Sequence, residues 1–241
     1  MGRRKKPRAA APEVASLLPE PQRATVKLPT YLPVLPPGCE TMDFAPKPLS
    51  AETTILAEDA ISASFITAEP ALSPEECAAW IRWGETEGFA TEKHAASAYV
   101  AYRDNGRLAV QSPEIAAAIF ERLRPLLPHI RGKAASGCNP NVRLYKYDAS
   151  QRFGRHVDGA QRLDDGSETE FTTLLYLNDG FAGGHTVFYE SHAPNGRELL
   201  RVAPRRGAVL LHAHGERCLT HEGARVDAGT KYLLRTDVAY G

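Results

Sequence analysis

From residue 141 onward the chain is a succession of short runs rich in β-branched and aromatic residues. They are NVRLYKYD (141–148), ETEFTTLLYLND (168–179), HTVFYE (185–190), GAVLLHAH (207–214) and TKYLLRTDVAY (230–240). Such residues suit the pleated, half-buried surface of a sheet. The stretches between them, among them DDGSE, FAGG and SHAPNG, carry the Gly, Pro, Asp and Asn that make turns. Parallel strands need crossovers of a dozen or more residues, usually helical. No such strand–helix alternation is present here, and neither is a GxGxxG or GxxxxGK loop. Doubly wound nucleotide-binding folds are thereby excluded, and an antiparallel sandwich or barrel is expected.

Helical signals lie upstream. In LSPEECAAWIRWGETEGF (72–89), Ser73 is placed as N-cap, Pro74 at the first helical position and Glu76 three residues past the cap. Gly88 can close this helix, Leu72 and Cys77 can staple its start, and Trp80 and Trp83 are expected to cover the sheet. SPEIAAAIFERLRPLLPHI (112–130) repeats the pattern, with Ser112 as cap and Ile115, Ile119, Leu123 and Leu126 on one face. A turn is expected at Asn105-Gly106, and ISASFITAEP (61–70) reads as a strand. Residues 1–50 hold ten of the eighteen prolines and lack sustained periodicity. We therefore expect a loosely ordered, basic-tipped arm over 1–58. A single domain follows over 59–241, with supporting helices and strands to 135 and the strand-rich core from 136.

Composition narrows the function classes. With 43% apolar and 24% charged residues the chain reads as an ordinary globular protein. Lys+Arg and Asp+Glu are both 29, so a whole-protein polyanion binder is not expected. No apolar run is long enough for a membrane span. Cys39, Cys77, Cys138 and Cys218 are scattered without CxxC spacing and are expected as free thiols of a reducing compartment. The location expected is cytoplasmic, with organelle or nuclear targeting by the basic arm left open.

The densest chemical signal is FGRHVDG, holding His156 and Asp158. Two residues apart on a strand they share a face and can take adjacent positions on one metal ion. A third ligand must come from elsewhere, and His212, His214 and His221 are candidates near the end of one strand. Two histidines and a carboxylate make the facial triad of non-haem Fe(II) oxygenases. Ten residues past His221 stands Lys231, on a strand face shared with Leu233, Arg235 and Asp237. These charges are either solvent-exposed or form an inward cation site for a carboxylate ligand, to which Tyr147 could donate its hydroxyl. Arg143, Arg155, Arg162 and Asp164 are candidates for a polar rim, and 159–169 for a loop over the site.

Over 141–240 this pattern resembles the prolyl-4-hydroxylase-like group of Fe(II)/2-oxoglutarate dioxygenases. The carriers are the H-x-D, the distal His with a Lys ten residues beyond it, and the GG-x-T-x-F element at Gly183, Gly184, Thr186 and Phe188. The resemblance implies a mainly β fold with supporting helices, a double-stranded β-helix (jelly roll, cupin-like). It implies His156, Asp158 and His221 as iron ligands, which selects His221 over His212 and His214. It implies Lys231 for the distal carboxylate of 2-oxoglutarate, with Arg235 as competitor and Tyr147 and Thr186 beside it. The expected activity is hydroxylation of an unactivated carbon with Fe(II), 2-oxoglutarate and dioxygen, and ascorbate as possible reductant. A prolyl residue of a protein or peptide is the leading substrate, and a free amino acid or small metabolite the alternative. Nucleic acid is not an expected partner.

Overall fold

The protein, seen here as a computed structural model, is described for residues 65–68, 71–91 and 101–241. The arm expected over 1–58 and Cys39 lie outside these residues. The strand expected at 61–70 is seen as β1 (Phe65–Ala68). Helix α1 (Pro74–Glu87) starts as its sequence dictates. The Glu76 amide donates to Ser73 Oγ at 3.2 Å, and the Ser73 amide donates back to Glu76 Oε2 at 2.8 Å. Two otherwise orphaned amides are thus satisfied reciprocally. Gly88 ends the helix at φ 86°, a conformation that favours glycine.

After β2 (Ala90–Thr91) comes β3 (Gly106–Gln111). The hairpin turn expected at Asn105-Gly106 is absent. A type I′ turn needs positive φ at both central residues, and neither has it. Gly106 instead begins β3, and the buried Asn105 side chain donates to the Gly106 carbonyl at 2.9 Å. Helix α2 (Pro113–Leu123) is shorter than its 112–130 pattern, passing into a single 3-10 turn at Arg124–Leu126. Pro125 lacks the amide that would continue the ladder, and Pro128 biases Leu127 to extended backbone, φ −86° and ψ 123°. Ile115, Ile119, Leu123 and Leu126 are all buried as the spacing requires.

The remaining strands are β4 (Ala135–Cys138), β5 (Asn141–Tyr147), β6 (Phe153–His156), β7 (Glu168–Tyr176), β8 (Ala182–Gly183), β9 (Thr186–Tyr189), β10 (Glu198–Val202), β11 (Val209–Ala213), β12 (Thr220–Gly223), β13 (Val226–Ala228) and β14 (Lys231–Tyr240). One antiparallel sheet runs β1-β11-β7-β14-β5-β3-β2, with β4 also on β14, and a second runs β10-β9-β12-β6. The result is a mainly β domain with supporting helices.

Period-two alternation divides the large sheet's side chains. Leu144, Leu175, Leu211 and Leu234 join Trp80, Trp83, Ile115 and Ile119 in the core under the helices. Tyr145, Leu174, Leu210 and Leu233 join Phe188 of β9 in a second core between the sheets. The two tryptophans meet edge to face at 5.4 Å, so they pack and do not form a surface. Among the described residues no helix is long and apolar enough to cross a membrane.

Gly84 marks where α1 presses hardest on the sheet. A Cβ there would strike Leu144 Cδ2 and the Phe89 ring. Alanine gains about 1 kcal/mol of helix propensity over glycine, but overpacking costs about 1–3 kcal/mol. Gly84→Ala is therefore expected to lower the urea midpoint, against the propensity scale. An unchanged or raised midpoint would show that the sheet can yield.

Candidate functional site

Three strands and one loop bring the chemistry together between the two sheets. His221 on β12 pairs directly with His156 on β6 in register, so the two imidazoles stand side by side on one face, ring centroids 4.2 Å apart. Each donates from Nδ1 to a backbone carbonyl two residues earlier: His156 to Gly154 at 2.8 Å and His221 to Leu219 at 3.0 Å. Each ring thereby presents Nε2 to the cavity. Asp158 faces both, with Oδ1 at 3.7 Å from His156 Nε2 and Oδ2 at 3.5 Å from His221 Nε2. One donor atom from each of the three lies within 4.8 Å of the others. Two imidazoles with fixed tautomers and one carboxylate on a common point are a donor set that fits Fe(II).

Asp158 is not on the strand that carries His156, as the spacing suggested. β6 ends at His156. The carboxylate is held instead by its neighbours: Thr172 Oγ1 donates to Oδ2 at 2.7 Å, and Arg235 Nη2 lies 3.0 Å from Oδ1. Burial works against ionisation of Asp158, but Arg235 and the hydrogen bond from His221 outweigh it and hold the carboxyl well below the usual range. Burial and the neighbouring His221 push His156 down to about 3. Burial also opposes charge on His221, but its bonds to Asp158 and Cys218 prevail and raise it to about 9. A metal arriving at His221 displaces that proton.

Lys231 begins β14, opposite Tyr147 of β5. It is 2% exposed. Its ammonium donates to the Gly184 carbonyl at 2.5 Å and faces the rings of Tyr147 and Tyr176 at 5.4 and 5.6 Å. No carboxylate among the described residues pairs with it, and burial alone pulls it down to about 7. A buried cation without an anion is costly. Thr186 stands nearby on β9, its hydroxyl 2.8 Å from that of Tyr176. The cavity, about 380 Å³, is lined by Tyr145, Tyr147, Phe153, His156, Asp158, Thr172, Leu174, Thr186, His212, His221, Gly223, Lys231, Leu233 and Arg235.

The seven residues to which the resemblance gives a role, His156, Asp158, His221, Tyr147, Lys231, Thr186 and Arg235, therefore line one cavity. Gly184 adopts φ 66°, and a Cβ there would press on Phe181 at 2.8 Å and Lys231 at 3.2 Å. Gly184→Ala is expected to displace the ammonium and lower thermal stability, by about 1–3 kcal/mol for the strained backbone. Calorimetry on the variant checks it.

The solvent-exposed alternative for β14, the rim role of Arg143 and the single-strand placement of His212 and His221 are corrected. The charged face of β14 is not solvent-exposed: Lys231 and Asp237 are buried and the Arg235 side chain is 11% exposed. Arg235 is engaged with Asp158 and, at 3.6 Å, with Asp237. Arg143 is no rim residue; it is buried and bonded to Asp237 at 2.5 Å. Arg155 lies over the Tyr189 ring at 3.6 Å, while Arg162 and Asp164 are not buried. The loop at 159–169 is pinned by its own bonds, Leu163 to Ser167 and Thr169 to Gln161, both 2.9 Å. His212 and His221 lie on different strands, β11 and β12, with a 3-10 turn between. Thr172, and the place of Cys218 beside the site, escaped the sequence reading, since neither residue sits in a recognisable motif. Thr172 gives its one proton to Asp158, so His214 Nε2, at 2.6 Å, donates to it. His214 Nδ1 then accepts from Thr169 at 3.0 Å.

Comparison with known proteins follows the same lines. The 2OG-Fe(II) oxygenase superfamily matches residues 142–236. A probable prolyl 4-hydroxylase 11 of Arabidopsis thaliana is 34% identical over 70 residues, which are 29% of this chain and span only 23% of that protein. A prolyl hydroxylase from Trichoplax adhaerens, solved with a hypoxia inducible factor peptide fragment, superposes with TM-score 0.54 at 16% identity, covering 78% of this chain and 88% of that one. A Pseudomonas putida prolyl-4-hydroxylase gives 0.51 at 18% identity, covering 75% and 95%. The collagen prolyl hydroxylase of Paramecium Bursaria Chlorella virus-1 gives 0.51 at 19% identity, covering 73% and 89%. Their fold is shared by this chain. The segment that matches the 2OG-Fe(II) oxygenase superfamily, residues 142–236, runs from β5 into β14 and carries the whole donor set.

Proposed function

We propose that this chain is an Fe(II)- and 2-oxoglutarate-dependent dioxygenase that hydroxylates an unactivated carbon of a prolyl residue in a protein or peptide. The observation that carries the reading is one cavity lined both by three metal donors and by a buried lysine with no carboxylate partner among the described residues. His156, Asp158 and His221 hold the iron. Lys231 pairs with the distal carboxylate of 2-oxoglutarate, with Tyr147 and Thr186 alongside. Arg235 and Thr172 hold Asp158 in place. Lys231 and Arg235 stand four residues apart on one strand face, roughly 13 Å along the strand, a span that two side chains and a five-carbon diacid can bridge. Bound iron with its co-substrates supplies the oxidant for the C–H bond, 2-oxoglutarate leaving as succinate and carbon dioxide. The protein's share is to orient, desolvate and hold protons in place.

The two facing sheets are read as a double-stranded β-helix, with 59–241 as one catalytic unit. For the substrate, support comes from the prolyl hydroxylases that share the fold. The test is an anaerobic titration of metal-free protein with Fe(II), with and without 2-oxoglutarate. A visible charge-transfer band that requires both and is lost in His156→Ala is expected. No band from folded protein would overturn the reading. Mass spectrometry of cell-extract protein then looks for an added oxygen that depends on 2-oxoglutarate. Succinate release driven only by small compounds would point to a metabolite substrate instead.

A further inference from the structure

Of His156, His212, His214 and His221, three are tied down. His156 and His221 donate to backbone carbonyls, and His214 bridges Thr169 and Thr172. His212 is the exception. Its side chain is 2% exposed, and neither ring nitrogen has a hydrogen-bond partner. Buried polar groups are almost always satisfied, so an imidazole with both nitrogens bare marks a place where something else belongs. Its ring lies 4.3 Å from that of His221, centroid to centroid.

A thiol also stands beside His221. The turn between β11 and β12 is fastened to the backbone of Asp158: the Gly215 amide donates to the Asp158 carbonyl at 3.1 Å, and the Asp158 amide points at Cys218 Sγ at 3.2 Å. This leaves Cys218 Sγ 3.9 Å from His221 Nδ1. One donor atom each from His212, Cys218 and His221 lies within 4.8 Å of the others. We infer that these three form a second, thiolate-containing metal site for a borderline-soft dication of the zinc and cadmium type, sharing His221 with the iron triad.

The donor chemistry separates the two sites. Two imidazoles and a thiolate suit Zn(II) or Cd(II) in a four-coordinate shell with one position left for water. The iron triad has a hard carboxylate in place of the sulfur. Binding here releases the thiol proton of Cys218 and any proton carried by His221. One neutral imidazole serves one ion, so filling the thiol site takes His221 from iron. Zinc also stands above Fe(II) in intrinsic affinity for such ligands. The competition, though not the thiol site itself, rests on the proposed iron reading. Cys77 and Cys138 are poor rivals: burial pushes the first thiol up to about 12 and the second higher still.

The test is a Cd(II) titration of the metal-free full chain, following the near-ultraviolet thiolate-to-cadmium band. We expect one equivalent to bind in the wild type and in His156→Ala. Cys218→Ser should abolish the band. His212→Gln should weaken binding by more than the ~10- to 100-fold that loss of an outer partner costs. Circular dichroism confirms folding, and His212→Asn replaces the glutamine variant should that fail to fold. No band in the wild type, a band surviving Cys218→Ser, or unchanged affinity in the His212 variants would overturn the site. In a second arm, one equivalent of Zn(II) should suppress the Fe(II)/2-oxoglutarate band in the wild type. About tenfold more should be needed in Cys218→Ser, and equal sensitivity overturns the shared-ligand inference. Should the iron band itself be missing while the cadmium band stands, the iron reading falls and the thiol site remains.

Discussion

Arg235→Ala is expected to weaken Fe(II) binding by about 10- to 100-fold, the usual cost of losing a partner that orients a metal ligand. It is also expected to destabilise the metal-free protein by about 3–5 kcal/mol, because it breaks a buried ion pair on one side only. Both follow from the same contact, Nη2 to Asp158 Oδ1 at 3.0 Å, with side chains 11% and 10% exposed. Lysine is no substitute, since the guanidinium also reaches Thr172 Oγ1 at 3.3 Å and Asp237 at 3.6 Å from a second nitrogen. The pH dependence has a definite sign. The Asp158 carboxyl is held well below its usual range. Its stabilising contribution is therefore present above the unfolded carboxylate range and is lost as pH falls through it and below. Wild-type protein should lose more stability between neutral and acid pH than Arg235→Ala does. Urea melts at both pH values and a metal titration decide it. An unchanged metal affinity, with 2-oxoglutarate binding lost instead, would assign Arg235 to the co-substrate.

Lys231→Met is expected to weaken 2-oxoglutarate binding to the iron-loaded protein by about 10- to 150-fold while leaving metal affinity in place. A hydrogen bond to a charged group is worth about 1.5–3 kcal/mol. The wild-type affinity should also fall with rising pH. Burial alone has pulled the ammonium down to about 7, and a dicarboxylate needs it protonated. Affinity should be level below pH 7 and drop by up to about tenfold per unit above it. Without ligand the slope of stability is opposite. Between about 7 and the ordinary lysine value the unfolded chain holds a proton that the folded chain does not, so stability rises with pH there. Calorimetric titration of 2-oxoglutarate at several pH values reads the first slope, and denaturant melts read the second. A flat affinity profile would mean that Lys231 does not meet the co-substrate's charge.

Local rules carried much of the fold. The capping box at Ser73 and Glu76 and the cap at Ser112 start both helices, because they depend only on residues three apart. The five long strand runs each contain a strand, because alternation over several residues is a strong signal. The short strands β4, β10, β12 and β13 were not legible. They are three to five residues long and lack a sustained β-branched or aromatic run, and these segments are strands only because a neighbour supplies hydrogen bonds. Asn105-Gly106 misled for the same reason in reverse: pairing of Gly106 with Lys146 on β5 overrode a local turn preference.

The candidate site residues His156, Asp158, His221 and Lys231 were legible from their order and spacing, and in the structure they line one cavity. What sequence could not give is how each is held. The partners of Asp158 come from residues 14 and 77 positions away, Thr172 and Arg235. Whether Arg235 grips a co-substrate or a metal ligand depends on which strands flank β14. The bare nitrogens of His212 and the thiol of Cys218 beside His221 are likewise products of packing two sheets face to face. The chain encodes donor atoms and their periodicity one residue at a time. Burial, which decides their charge and their partners, belongs to the closed structure.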